Sequence, residues 1–271
     1  MTFQPVVPIG GFAGWSFLQR TIDTQREAHD ASPVLQRDVD YFQERIGSVL
    51  TAEALVADRR LMTVALGAFG LDDDINSKAF IQKVLESPEG DREALANRLT
   101  DRRYREMAAA FGFGEAVPQT ITSGFGEEIA AQFLERQFEI GVGEANEDMR
   151  LALEFSRAVP ELIGRGLEDD TAWFSMMGNP PMRRVFETAL GLPSSFGTLE
   201  LDRQLGEFKD RMSRVFGVSE FADLNDPELQ EDMIRRFLVL SEINAANAQL
   251  SSGNIALTLL QQSAVPSQTL F

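Results

Sequence analysis

Apolar residues recur at helical spacing along most of this chain. Leu35, Val39, Phe42, Ile46 and Val49 advance by four, three, four and three positions, the step that keeps one face of a 3.6-residue helix turned to a core. Ser32 and Pro33, just ahead of them, suit an N-cap and a first-turn position. Leu201, Leu205, Phe208, Met212 and Val215 repeat the same steps. Thr51, Asn76, Thr100, Thr198 and Asp226 are candidate caps of other helices. Gly70, Gly112, Gly191 and Gly217 fall where helices should stop, because glycine readily takes the left-handed conformation that ends them. No run alternates apolar and polar residues with β-branched enrichment, so the pattern predicts an all-α, multi-helix fold with little or no β-structure.

Some phrases occur twice. "DRRLMTVALGAFGL" (58–71) is echoed by "DRRYREMAAAFGF" (101–113). "MRRVFETALGL" (182–192) and "DRMSRVFGV" (210–218) then repeat the order of a helix ending in glycine followed by one ending in Phe-Gly. Two loosely repeated units, about 51–113 and 180–218, suggest duplication, with related units burying their apolar faces against each other. Between them, "GVGEANED" (141–148) is expected to break one long helical pattern in two.

Charge divides the chain differently. No Asp, Glu, Lys or Arg occurs in residues 1–19 or 243–271, so all 25 basic and 42 acidic residues lie from Arg20 to Glu242. This predicts an acidic helical domain over 20–242 flanked by two uncharged segments. The net charge of −17 argues against nucleic acid and anionic membrane surfaces as partners. Neither end is apolar and continuous enough to insert in a membrane, and the start lacks a basic secretory n-region. A soluble protein is expected. The chain has no cysteine and one histidine, which excludes disulfides, thiolate catalysis and His-based triads or multi-His metal sites within the chain. His29 reads as an exposed polar residue on an early helix. Lys78, Lys83 and Lys209 are the only lysines among the basic residues.

Candidate chemistry is sparse. Asp72, Asp74 and Asn76 have the spacing that opens an EF-hand loop, but Ser77 replaces the turn glycine and Lys83 the bidentate glutamate. Asp72, Asp73 and Asp74 also loosely resemble the magnesium-diphosphate motif of isoprenoid synthases, yet they follow Gly70-Leu71 and no second acidic motif accompanies them. A solvated loop is the expectation. "EDD" (168–170) reads as the acidic start of a short helix, and "GFGEEI" and "GVGEAN" lack the third glycine of a dinucleotide loop. Asp101–Arg105, Glu207–Arg211, Asp210–Arg214, Glu231–Arg235 and Asp232–Arg236 have the favourable i,i+4 order for surface ion pairs. This makes the Asp-Arg-Arg phrases structural rather than a phosphate clamp of Arg59, Arg60, Arg102 and Arg103. No catalytic residue, metal site or cofactor is expected.

The uncharged ends are the remaining candidates. Phe12, Trp15, Phe17 and Leu18 cluster large apolar groups in "GGFAGWSFLQRT" (10–21), either folded back on the core or ordered against a partner. Leu250, Ile255, Leu257 and Leu260, with Leu259, form the apolar content of "INAANAQLSSGNIALTLLQQ" (243–262), a face for docking on the protein's own core or in a multi-chain helical assembly.

Together, "GWSFLQRT", "SPVLQRDVDYFQERI", "LVADRRLMTVALGAFGLDDD" and "RLTDRRYREMAAAFGF" resemble an uncharacterised all-helical DUF family of alphaproteobacteria, over about residues 10–240. Members of that family are commonly associated with flagellar gene clusters. The resemblance implies a role in the flagellum as a component, assembly factor or chaperone-like partner, and a cytoplasmic or flagellum-associated location. It supplies no catalytic residues. The sequence reading is thus a non-enzymatic helical protein acting by protein–protein contacts in flagellar assembly or structure. Its alternatives are a Mg2+- or phosphate-dependent helical enzyme using Asp72, Asp73 and Asp74, and a cytoplasmic helical adaptor unrelated to motility.

Overall fold

The computed structural model describes residues 3–263, with side chains through residue 248 apart from that of residue 194. Thirteen α-helices and four short 3-10 turns follow one another, with no strand among the described residues. The all-α expectation is met.

An extended arm leads into α1 (Gly11–Asp30). Then come α2 (Pro33–Ile46), α3 (Ala52–Ala57), α4 (Arg59–Ala68), α5 (Lys78–Leu85), α6 (Leu95–Arg98) and α7 (Arg102–Phe111). A long hairpin of α8 (Phe125–Ala145) and α9 (Glu147–Gly164) follows. The chain closes with α10 (Asp169–Met177), α11 (Pro180–Ala189), α12 (Leu201–Phe216) and α13 (Pro227–Ser263).

Two apolar clusters hold these helices. The first gathers α2 to α7 on the N-terminal half of α8, through Phe42, Leu61, Met107, Phe111 and, from α8, Ile129 and Phe133. The second gathers α9 to α13 on the C-terminal half of α8, around Phe155, Trp173, Phe186, Phe208 and Phe237. Trp173 packs its ring edgewise on Phe221 and Phe186, with centroids 5.1 and 5.9 Å away. Helix α8 is therefore the shared beam, passing from one cluster to the other between Phe133 and Phe138. The predicted repeat units fall one in each cluster. They build separate cores instead of covering each other's apolar faces, because α8 lies ready to cover the first unit and α9 and α13 the second.

Local signals explain most helix ends. Gly70, Gly112, Gly191 and Gly217 all take left-handed φ values of 63–71°, as a glycine stop requires. Thr51 accepts a hydrogen bond from the Ala54 amide (3.2 Å), and Asp226 from that of Glu228 (2.9 Å). Asn76, Thr100 and Thr198 are not caps: α5, α7 and α12 begin one or two residues later, after Ser77, Asp101 and Glu200. Ser32 is the N-cap of α2 by position without a capping bond, and its hydroxyl accepts from the Phe3 amide. The break predicted at 141–148 occurs at Asn146, whose side chain accepts from the Met149 amide (3.1 Å) and starts α9. Gly141 and Gly143 stay helical. A Cβ there would lie 3.1 Å from the Pro5 ring or 2.7 Å from the Arg150 side chain, so both glycines let a neighbour pack closely on α8.

His29 is buried, at 4% exposure, contrary to its expected surface position. It follows Leu18 and Gln25 on one stripe of α1, and that phase turns it toward α8. There its ring meets Phe138 edge to face at 5.6 Å.

Candidate functional site

The uncharged N-terminal segment is part of the fold. Trp15 and Leu18 are buried in the second cluster, with Phe12 partly buried against it, and Phe17 is half-buried. The guanidinium of Arg235, on α13, lies 4.5 Å above the Phe12 ring. The arm ahead of α1 is pinned by Gln25, whose side-chain oxygen accepts from the Val6 amide (2.6 Å) and whose side-chain nitrogen donates to the Val6 carbonyl (3.2 Å). Of the two alternatives for residues 10–21, the described structure is the one folded onto the core.

The C-terminal uncharged segment is placed differently. Helix α13 is anchored through Met233, Ile234, Phe237 and Leu238. Its Ser241 hydroxyl donates to Asp148 on α9 (2.6 Å), and the Glu242 carboxylate lies against Gly10 and Gly11 at the start of α1. Residues 242–248 are all exposed, Ile243 at 49%, while the backbone stays helical to Ser263. The side chains of Leu250, Ile255, Leu257 and Leu260 lie outside the described residues.

Both Asp-Arg-Arg phrases are helix starts. Asp58 caps α4 by accepting from the amides of Arg60 (2.9 Å) and Leu61 (3.2 Å), and the Tyr41 hydroxyl donates to it (2.6 Å). Burial alone would raise the Asp58 carboxyl, but Tyr41 and these amides outweigh it and hold it below the ordinary value. Asp101 caps α7 through the Arg103 amide (3.0 Å), and its carboxylate is gripped by the Arg103 guanidinium (2.6 Å). That guanidinium also donates to the Gly70 carbonyl. The four arginines of the imagined clamp diverge. Arg59 reaches Asn76 and Arg60 pairs with Asp38; Arg103 turns to Gly70 and Asp101, while Arg102 lies against Gly178. Of the predicted ion pairs, Glu207–Arg211, Asp210–Arg214 and Glu231–Arg235 form. Arg105 does not meet Asp101, which Arg103 occupies. Arg235 takes Asp232 as well, and Arg236 donates to the Ala189 carbonyl.

The three aspartates of 72–74 form a 3-10 turn and also diverge. Asp72 accepts from the Gln137 amide group (2.9 Å), and burial pushes its carboxyl up. Asp74 accepts from the Tyr104 hydroxyl (2.6 Å), and burial followed by that bond raises the phenol to about 12. Among the described residues, no group of three or more His, Cys, Asp or Glu side chains is arranged to hold a metal ion. The 168–170 run starts α10 as expected. Asp169 there accepts from the Phe221 amide (2.6 Å) and pairs with Lys209 (2.7 Å).

The densest polar site is one the sequence did not announce. Where α8 leaves the first cluster for the second, Arg136 and Glu139 face Glu154 and Arg157 of α9. Arg157 grips Glu139 with both oxygens engaged (2.8 and 3.2 Å), and Arg136 meets Glu154 at 3.1 Å. Arg150 extends the ladder to Glu154 and Glu147, and Glu161 caps it at Arg157. Glu139 and Glu154 are each only 2% exposed. Burial pushes the Glu139 carboxyl up against the pull of Arg157 and Arg136, while the Arg157 guanidinium is held firmly charged. A cleft of about 630 Å³ opens on one side of the ladder, between Asp72, Arg103 and Arg184. Another of about 540 Å³ opens on the other side, near Glu106 and Arg165. The buried carboxylates are matched by guanidinium groups, an arrangement that fixes how the two helices meet. The signal was an Arg-x-x-Glu on α8 facing a Glu-x-x-Arg on α9, readable only once the hairpin is known.

Among the described residues, no helix is long and apolar enough to cross a membrane. No curated protein sequence matches this chain. The crystal structure of a protein from Agrobacterium tumefaciens has the same fold, with a TM-score of 0.71 and 26% sequence identity over 89% of this chain and 99% of that one. Residues 68–229, more than half of the chain, match the model of a family described as proteins of unknown function. The matched span runs from the end of α4 to the start of α13 and includes the ionic ladder. The chain belongs to this family, DUF1217.

Proposed function

We propose that this protein acts without catalysis, through protein–protein contacts in flagellar assembly or structure, and that α13 beyond Glu242 is its principal contact element. The observation that carries the reading is the uncharged continuation of α13 past Ser241 and Glu242, exposed from 242 to 248. From Ile243 to Ser263 the helix would run about 30 Å at 1.5 Å per residue. A helix of that length without charge is poorly supported by water alone, since isolated helices need packing of an apolar face to persist. A partner helix or groove would supply that packing. The N-terminal aromatics serve the proposal indirectly: Phe12 and Trp15 hold α1 against the root of α13. The flagellar setting rests on the family resemblance of the quoted phrases.

The test is a chain ending at Glu242, expressed in place of the full protein in a flagellated host. It should fold with unchanged thermal stability, fail to capture its partner and impair motility. Intact motility with the shortened chain would refute the reading.

A further inference from the structure

A third cleft, of about 740 Å³, lies where α7 approaches the end of α9 and helices α10 and α11. Its charge is opposite to that of the molecule. Arg102, Arg105, Arg165 and Arg183 line it against only Glu89 and Glu106, in a chain of net charge −17.

Two of these arginines are accounted for. Arg165 pairs with Glu106 (2.7 Å), and Arg183 with Glu187 (2.7 Å) and the Gln204 side-chain oxygen (2.6 Å). Arg102 and Arg105 have no ionic partner among the described residues. The reason is local: Asp101, the acid best placed in sequence to meet Arg105, is taken by Arg103. Arg102 is fixed at the rim, because its amide donates to the Gly178 carbonyl (3.2 Å) and its side-chain stem lies over Gly178.

The remaining wall is largely apolar, with the hydroxyls of Thr100, Thr171 and Ser175 among it. Leu167, Phe174 and Met177 line it beside Leu99, and Leu201 stands at its edge, 60% exposed. Cleft size falls within the range of small-molecule sites, which combine an apolar lining with a few convergent polar groups. Guanidinium forks recognise carboxylate and phosphate oxygens through paired hydrogen bonds.

We propose that this cleft binds an amphiphilic anion: a single acidic head group on an aliphatic body. The head meets Arg102 and Arg105, and the body lies along Leu167, Phe174 and Leu201. Because Arg102 and Arg105 belong to α7, while Leu167 precedes α10, Phe174 lies on α10 and Leu201 starts α12, the ligand bridges elements of the two clusters.

Decanoate, decyl phosphate, acetate and decyltrimethylammonium, each below its micelle concentration, serve as probes in calorimetric titration and thermal-shift assays on the full chain. Both decyl anions should bind and raise the melting temperature, since a ligand specific to the native state stabilises it. The tighter of the two identifies the head group as carboxylate or phosphate. Acetate, lacking the body, and the cationic amphiphile, lacking the head, should not bind. Arg102→Gln/Arg105→Gln should weaken decyl-anion binding by about tenfold or more, as loss of charge-assisted hydrogen bonds implies. Arg105→Gln alone, at an exposed position, guards against misfolding and should weaken binding measurably at an unchanged unliganded melting temperature. Equal binding of the cationic amphiphile, no binding of either anion, or anion binding unaffected by both arginine variants would overturn the proposal.

Discussion

Glycine at position 67 is where the packing of α4 on α8 is most exposed to a single-atom test. A Cβ on Gly67 would lie 2.6 and 2.7 Å from two carbons of the Phe133 ring and 3.2 Å from an Asp72 carboxylate oxygen. Carbon atoms in contact ordinarily sit about 3.5–4.0 Å apart, so Phe133 would have to retreat by about 1 Å. It is buried at 2% exposure, within a cluster that includes Ile129 and Leu66, and overpacking of this kind costs about 1–3 kcal/mol. Alanine in place of a helical glycine returns up to about 1 kcal/mol through backbone propensity. With the full return of about 1 kcal/mol, Gly67→Ala should therefore destabilise by up to about 2 kcal/mol. Gly206 supplies the control: it is exposed on α12, and an added Cβ meets nothing within 4 Å. Gly206→Ala should stabilise by about 0.4–1 kcal/mol. The same change thus carries opposite signs, readable in urea unfolding followed by far-ultraviolet circular dichroism with the slopes held equal. Phe133→Leu placed on Gly67→Ala should cost less than it does on the native chain, because the clash is relieved. If Gly67→Ala stabilises the protein as Gly206→Ala does, the close approach of α4 to α8 is wrong.

Arg157→Met should destabilise by about 3–5 kcal/mol, since it strips the close partner from a buried carboxylate. Its cost should grow as pH rises above the ordinary glutamate value of 4.5, because a carboxyl with a raised folded pKa loses stability in that direction, and Arg157→Met with Glu139→Leu should recover most of it in the same unfolding assay. Tyr41→Phe removes a hydroxyl that holds Asp58 low; stability from such a group is present above the unfolded value of 3.8 and lost as pH falls through the folded one. The acid-unfolding midpoint should therefore move to higher pH in the variant. Gln25→Leu frees both Val6 backbone groups, so limited proteolysis should cut within residues 3–9 faster than in the native chain while the remaining core stays protected.

The helices were legible because their signals are local. The stripe from Leu35 to Ile46 is buried as its spacing implies, and the four stop glycines read correctly because left-handed φ at a helix end has a near-unique residue preference. Caps were less legible: Thr100 and Asp101 are equally good letters, and the choice depended on Arg103 reaching across to Gly70. The meaning of Asp-Arg-Arg was half readable, as structural, but not that each Asp would be the cap itself. His29 and the Glu139–Arg157 ladder were hidden for a shared reason. Burial of a polar side chain depends on which helix lies opposite, and neither the turn of α1 toward α8 nor the folding of α9 back on α8 has a short-range signature. The contrast between the chain ends came from the same source, since both read as uncharged and aromatic or aliphatic. Only the position of α8 and α13 beside α1 separates the end that joins the core from the end whose root is exposed.

That contrast is the central claim, and the absence of cysteine makes it directly measurable. Ile243→Cys and Val34→Cys place single thiols at comparably exposed sites, 49% and 48%, on α13 and α2. Each is labelled with a benzophenone and irradiated in extracts of flagellated cells. The account predicts a discrete protein adduct from position 243, absent from position 34 and suppressed by excess unlabelled full-length chain but not by the chain ending at Glu242. No adduct from position 243, or one that the shortened chain suppresses equally well, would contradict it.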